Sequence, residues 1–379
     1  MADRINIAIV ITRLDLGGAQ KVALYLAKYL DKKKFNVHLI AGSGGYLDKE
    51  AITQKNGAVY QLWPEIKHPI SPINDFKAVL KLKKYFVENK IDIVHTHSSK
   101  AGIIGRLAAR LAGVKRIIHT IHGFSFHEHQ NPVVFSLYRL LEIFFSAFTD
   151  NFIAVGGDMV DYGVTEGVGW RGKYTVIRAG VELKKFKKAS SGYKKARKKF
   201  GVKPGQFLVG MIGNLKKQKN PLAFVKIAKI AAEKNPSIVF KFAGDGALRT
   251  KTEAMITRYG LNDKVQLLGW IDNPEEFMAA CDMFLLTSLW EGLPCTLAQA
   301  AAAGKVCAAS DIYGNREMIK GLGAGYLFKP EDFKAAASYI YEESKSGKKP
   351  VYGSQAAKYL SQFDADIMVK QHEKLYLIR

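Results

Sequence analysis

Residues 283–304 read MFLLTSLWEGLPCTLAQAAAAG. An apolar run of strand character ends at Ser288, a short loop carries one acid, Glu291, and Gly292 and Pro294 turn the chain into an Ala-rich helix. In an open parallel sheet, ligands collect outside the carboxyl ends of the strands, and a helix that starts there aims its free backbone N–H groups at an arriving anion. The stretch therefore predicts a phosphate-accepting βα unit. Its shape also suits a plain βα unit whose Glu291 is merely solvated.

The same alternation extends in both directions. Residues 5–12 form a nearly continuous apolar run, as in a strand buried on both faces, and Val22, Tyr25, Leu26 and Tyr29 follow at helical spacing. Further strands are predicted at residues 36–41, 58–62, 91–95, 116–120, 151–155 and 174–181. The pattern lapses in ELKKFKKASSGYKKARKKFG (182–201), where charge takes over and a linker is expected. It restarts at Gln206 with QFLVGMIGNL, followed by a helix over 222–234 and by strands in FKFAGDG (240–246) and VQLLGW (265–270). The chain thus reads as two doubly wound, Rossmann-like α/β halves.

Its 379 residues, 48% of them hydrophobic, suffice for two domains with separate cores. The opening apolar run is too short to cross a bilayer and reads as a first strand, so a cytoplasmic protein is expected. Cys281, Cys295 and Cys307 are too few and too scattered for a disulfide framework, and no Cys/His cluster suggests zinc. A net charge of +23 calls for an acidic partner. The lysines lack the interleaved aromatics of a base-stacking surface, which favours an anionic membrane surface over nucleic acid. The apolar segment NPVVFSLYRLLEIFFSAF (131–148) reads either as a buried helix or as an interfacial one.

Three loops gather chemistry-bearing residues at predicted strand ends. Gly17 and Gly18 follow the first strand, where the absence of a Cβ lets backbone approach a ligand. HTHSSKAG (95–102) and HTIHGFSFHEH (119–129) place histidines at the ends of two strands that would share one crevice. KKQKNP (216–221) sets basic residues directly after a buried strand, where they would hold phosphates.

SLWEGLP and the small-residue helix after it resemble the signature of retaining, nucleotide-sugar-dependent glycosyltransferases of family 4. The resemblance covers nearly the whole chain. It implies the GT-B fold: two Rossmann-like parallel-sheet domains facing a deep cleft, with a C-terminal helix crossing back to the N-terminal domain. The expected boundaries are 1–181 with 363–379 for an acceptor domain and 182–362 for a donor domain. The family's Glu, seven residues, Glu pattern is broken here, because the second position is Gln299. The family's Arg and then Lys five residues on are matched by Asn214 and Lys219, so only the lysine is kept.

What the resemblance implies is a retaining transfer of a hexose or N-acetylhexosamine from a nucleoside diphosphate sugar, a UDP-sugar above all. HTIHGFSFHE and SLWEGLP look like phrases of bacterial capsule and lipopolysaccharide transferases, which points to a lipid-linked saccharide acceptor in cell-surface polysaccharide synthesis. Glu291, Lys219 and His122 are the implied catalytic residues. Gly17, Gly18, Asn214, Lys216, Gly244, Gly246, Leu268, Gly269, Pro294, Cys295, Thr296, Leu297 and Gln299 are implied on the donor side, and His97, His127 and Glu128 on the acceptor side. No cofactor and no metal is expected, since lysines stand where a counter-ion would otherwise be needed. Peripheral association with the inner membrane face is expected, and nucleic-acid binding is not. A GT-B sugar-nucleotide epimerase and a non-catalytic basic nucleic-acid-binding protein are the alternatives.

Overall fold

The computed structural model describes residues 4–347, 350 and 352–378. They form two compact units, Met1–Gly180 with Ala365–Arg379, and Val181–Asp364.

In the first unit the order is β1 (Ile5–Arg13), α1 (Gly18–Tyr29), β2 (Phe35–Gly42), α2 (Asp48–Thr53), β3 (Val59–Trp63), α3 (Pro72–Glu88), β4 (Ile93–His97) and α4 (Ser99–Ala112). β5 (Arg116–Ile121), α5 (Pro132–Ser146), β6 (Asn151–Ala154), α6 (Gly157–Thr165) and β7 (Tyr174–Val176) complete it. The second unit contains α7 (Leu183–Ala189), α8 (Tyr193–Lys199), β8 (Phe207–Ile212), α9 (Pro221–Lys234), β9 (Ile238–Ala243), α10 (Arg249–Arg258) and β10 (Val265–Gly269). It continues through α11 (Pro274–Ala280), β11 (Met283–Leu286), α12 (Cys295–Ala302), β12 (Val306–Ser310), α13 (Tyr313–Leu322), β13 (Tyr326–Phe328), α14 (Phe333–Ser346) and α15 (Ser354–Ser361). The last helix, α16 (Ala365–Leu377), belongs to the first unit.

Among the described residues the first sheet is ordered β3-β2-β1-β4-β5-β6-β7 and the second β10-β9-β8-β11-β12-β13. All pairings between these strands are parallel. The order in which successive strands are laid down reverses between β1 and β4 in one sheet and between β8 and β11 in the other. These are the switch points at which doubly wound sheets bind ligands. The two-sided burial read from the sequence holds, because Ile7, Ala8, Ile9, Val10 and Ile11 are all fully enclosed.

Several strand ends differ from the sequence reading, among them β11, which stops at Leu286 before the expected Ser288. β4 runs to His97 and β5 to Ile121, past the expected ends at residues 95 and 120, so His97 joins His95 and His119 as a strand residue. Their side chains then alternate between faces. His95 meets Tyr376 of α16 at 2.6 Å and Thr120 at 2.7 Å on one face, while His119 bonds Thr96 at 2.8 Å on the other. A Cβ on Gly102 of α4 would lie 2.6 Å from the His119 ring, so that glycine lets helix and histidine touch. The run at 174–181 also stops early, at Val176.

α5 begins with Asn131 accepting from Val133 N at 2.9 Å and with Pro132 at the first helical position, a combination that satisfies the helix start. Its inner side places Glu142 against the fully buried Arg106 of α4 at 2.8 Å, and Arg106 also donates to Gly102 O at 2.8 Å. Val133, Leu137, Leu140 and Phe144 on its outer side are exposed. Of the two readings left open for this segment, burial therefore holds for one face only.

Candidate functional site

In the second unit the site is built on the switch point. β8 is followed by the loop that carries Lys216 and Lys219, and the neighbouring β11 by the loop that carries Glu291. A short 3-10 turn over Lys217–Lys219 ends at Asn220, held at φ 48°, ψ 58° before Pro221 opens α9. A left-handed asparagine is tolerated because its short side chain leaves that region accessible, and such a conformation persists only where surroundings impose it. The imposing group here is Thr287, whose hydroxyl lies 2.9 Å from the Lys219 carbonyl and 3.1 Å from that of Asn220. Gly213 leaves room for the aliphatic stem of Lys219, whose atoms lie 3.2 to 3.3 Å from where a Cβ would stand.

Lys219 Nζ forms an ion pair with Glu291, and both side chains are largely enclosed, 15% and 8% exposed. Ser288 Oγ donates to the same carboxylate at 2.6 Å, and Gln218 Nε2 reaches it at 3.4 Å. A pair this enclosed persists because the remaining lone pairs are also hydrogen-bonded. Burial, and next the nearby Lys219 charge, lower the Lys216 pKa, while Glu291 opposes them. An arriving polyanion would reverse that balance.

The loop after β11 is supported from β12 and α13. Ser310 Oγ donates to Ser288 O at 2.5 Å, and Asn315 Nδ2 donates to Ser310 O at 2.9 Å. A Cβ on Gly314 would fall 2.1 Å from the carbonyl of Gly292, so α13 starts against this loop only because residue 314 is glycine. α12 opens after Pro294, and no side chain caps it. In its first turn Thr296 Oγ1 is enclosed without a hydrogen-bond partner, an acceptor or donor still waiting for one. Leu297 is buried in the core, whereas Gln299 is half-buried.

The remaining donor-side candidates have clear structural duties. Gly244 N donates to Gly269 O at 2.7 Å, and a Cβ on Gly244 would stand 1.8 Å from Gly213 O. Gly246 approaches Leu215 O in the same way, at 2.7 Å, with φ at +155°. Both glycines are thus required where two loops cross. Gly269 has φ +71° and its carbonyl accepts from Gly244 N, while Leu268 and Gly269 form the end of β10, the edge strand beside β9. Asn214 O accepts from Lys216 N at 2.8 Å, so it shapes the basic loop. Cys295 is the first residue of α12.

In the first unit Gly17 caps α1 and Gly18 opens it, directly after β1. At that unit's switch point Thr12 and Ser98 hydroxyls bond at 2.7 Å. His122 bonds His97 at 2.9 Å, with the rings stacked 5.2 Å apart. His97 is fully enclosed, and its Nδ1 bonds the His122 ring, which is only half-buried. Glu128 is exposed beside His129, and the His127 N–H donates to Gln130 Oε1 at 3.1 Å. Thr287, Ser288, Gln218, Ser310 and Asn315 had not been singled out from the sequence. The signal for the first two is the pair of hydroxyls that follows the apolar run, just past the end of β11. Among the described residues no group of three or more His, Cys, Asp or Glu is placed to hold a metal ion.

Five histidines, His95, His97, His119, His122 and His372, have pKa values lowered, mainly by burial. Each is neutral in the folded chain but takes a proton on unfolding once the pH falls below about 6.5. Their contribution is therefore complete above that value and is lost as pH drops toward the depressed folded values, by up to about 1.4 kcal/mol per pH unit for each histidine. Thermal unfolding should show the midpoint falling steadily from pH 7 to pH 5. A flat midpoint across that window would contradict a neutral cluster.

The family described as "Glycosyltransferase Family 4" matches residues 16–185, and that described as "Glycosyl transferases group 1" matches residues 193–359. The chain is 36% identical over 320 residues to a UDP-Gal:alpha-D-GlcNAc-diphosphoundecaprenol alpha-1,3-galactosyltransferase of Escherichia coli, covering 84% of this chain and 82% of the relative. It is 30% identical to the putative glycosyltransferase EpsD of Bacillus subtilis, covering 73% of each. Among solved structures, HepE of Anabaena in complex with UDP and glucose superposes with a TM-score of 0.83 at 21% identity, covering 99% of this chain and 100% of that one. The fold is the GT-B fold.

Proposed function

This chain belongs to glycosyltransferase family 4, and on that premise we propose that it transfers a hexose from a UDP-sugar to a hydroxyl of a lipid-linked saccharide, with retention and without a metal. The observation that carries the reading is the enclosed Lys219–Glu291 pair at the β8/β11 switch point. The similarity to a galactosyltransferase acting on a diphosphoundecaprenol-linked sugar supports the donor and acceptor classes.

The chemistry requires stabilisation of a leaving diphosphate and of a cationic sugar ring. Lys216 and Lys219 supply fixed positive charge, and the uncapped first turn of α12 adds its N–H groups and the unpartnered Thr296 hydroxyl. Diphosphate binding draws Lys219 from its carboxylate. Glu291, still held by Ser288, then takes donor-sugar hydroxyls and favours the developing positive charge on the ring. His122, in the first unit, is the remaining catalytic candidate that the family resemblance implies.

Gln299 replaces the family's second acid at the place of the nucleotide ribose. Its amide oxygen still accepts a hydrogen bond from a ribose hydroxyl, though more weakly than a carboxylate, about 0.5–1.5 against 1.5–3 kcal/mol. Calorimetry with free UDP and with UDP-hexoses tests the reading. Both should bind, Gln299→Glu should tighten binding by up to about tenfold, a step of roughly 1.4 kcal/mol, and Gln299→Leu should weaken it. A chain that binds neither UDP nor any UDP-hexose would overturn the donor assignment, and an unchanged Gln299→Leu would remove Gln299 from the ribose.

A further inference from the structure

α3 is apolar on two sides. Ala78, Val79, Leu82 and Phe86 pack into the core of the first unit, while Ile73, Phe76, Leu80 and Val87 point outward. At 100° per residue these four outward side chains fall within about 60° of one another, and so do Val133, Leu137, Leu140 and Phe144 of α5. All eight are between 48% and 76% exposed. α4 packs against both helices, and right-handed crossovers put the three on one side of the sheet. A helix that is apolar on both sides is one with a second apolar partner.

The geometry points to this outer helical face of the first unit as a docking surface for an anionic lipid bilayer. Charge selects that occupant. Lys83 borders the α3 stripe on one edge, and Lys77 and Lys84 border it on the other, all exposed. An apolar band fringed by lysines matches acyl chains lying beneath anionic headgroups. Six of the eight side chains are aliphatic and Phe76 and Phe144 stand on different helices, so the band gives nucleic acid no run of rings to stack on. A second copy would bring a like charge of +23 against the same fringe. At the carboxyl end of α5, Lys173 donates to Ser146 O at 2.9 Å and Thr149 O at 2.8 Å and lies 4.4 Å over the ring of Trp170. That places an exposed tryptophan, the side chain favoured at membrane interfaces, beside the band. No helix among the described residues is long and apolar enough to cross a membrane, so the contact is one of lying on the surface.

The purpose of the contact rests on the lipid-linked acceptor reading, but the test does not, because the vesicles contain no acceptor. Flotation of the full chain with phosphatidylcholine vesicles, with and without phosphatidylglycerol, should show binding to the anionic vesicles that weakens as salt rises. The double variants Phe76→Ser/Leu80→Ser and Leu140→Ser/Phe144→Ser should each lose at least about tenfold in partitioning, since each removes several buried CH₂ equivalents. Both should keep the parent's far-UV circular dichroism and a cooperative thermal transition, which report an intact first unit. Lys77→Glu with Lys83→Glu and Lys84→Glu should abolish the preference for anionic vesicles. Undiminished binding by both serine double variants, or no anionic preference in the parent chain, would overturn the inference. So would sedimentation showing a parent dimer that the serine variants dissolve.

Discussion

Glu291→Ala and Lys219→Ala are each expected to lower turnover by about 100-fold or more, the scale of losing one preorganised electrostatic contact, in chains that still fold but unfold at a lower temperature, since each change strands one partner of an enclosed pair. The structure sharpens this expectation. Each residue is the other's ion-pair partner, so the double variant should lose far less than the product of the two single losses. Glu291→Gln retains an acceptor for the Ser288 hydroxyl but removes the charge. It should resemble Glu291→Ala in turnover while holding the loop in place. Steady-state kinetics with saturating UDP-sugar checks the set, and near-normal turnover in both single alanine variants would remove the pair from the reaction.

The largest expected effect on stability lies in the first unit. Arg106 is fully buried, pairs with Glu142 at 2.8 Å, and has its guanidinium 5.4 Å from the Phe145 ring. Glu142→Ala strands that cation where water cannot reach it, a cost of about 3–5 kcal/mol. Adding Arg106→Met should recover much of the loss, because an apolar side chain of similar length needs no partner. Urea unfolding would show a midpoint well below the parent for Glu142→Ala and an intermediate one for the double variant. A shift of less than about 1 kcal/mol for Glu142→Ala would mean that the cation finds other compensation, such as the carbonyl of Gly102.

The alternation of apolar runs and helical spacing was enough to read two doubly wound halves, because a strand buried on both faces has no other sequence signature of that length. The stretch 283–304 likewise showed its strand, its acid and its helix. What it did not show was which polar groups would hold Glu291. Ser288 is adjacent in sequence, but Gln218 arrives from the loop after β8, and Asn315 acts through Ser310 from α13. Such contacts depend on tertiary pairing, which local patterning does not encode. The histidines illustrate the opposite limit. Clustered in sequence, they suggested a common crevice, yet the two-residue period of β4 and β5 sends His95 and His119 to opposite faces of the sheet. The outer stripe of α5 was hidden for a related reason. A helix apolar nearly all round gives no periodic signal that separates its buried side from its exposed one.

The most direct test of the account is a transfer assay with UDP-hexose, a lipid-linked N-acetylhexosaminyl diphosphate acceptor and excess EDTA. The account predicts a longer saccharide on the lipid, released UDP in equal amount, and the anomeric configuration of the donor preserved in the new linkage. Hydrolysis of the donor without transfer, inversion at the transferred carbon, or activity that appears only when a divalent metal is restored would contradict it.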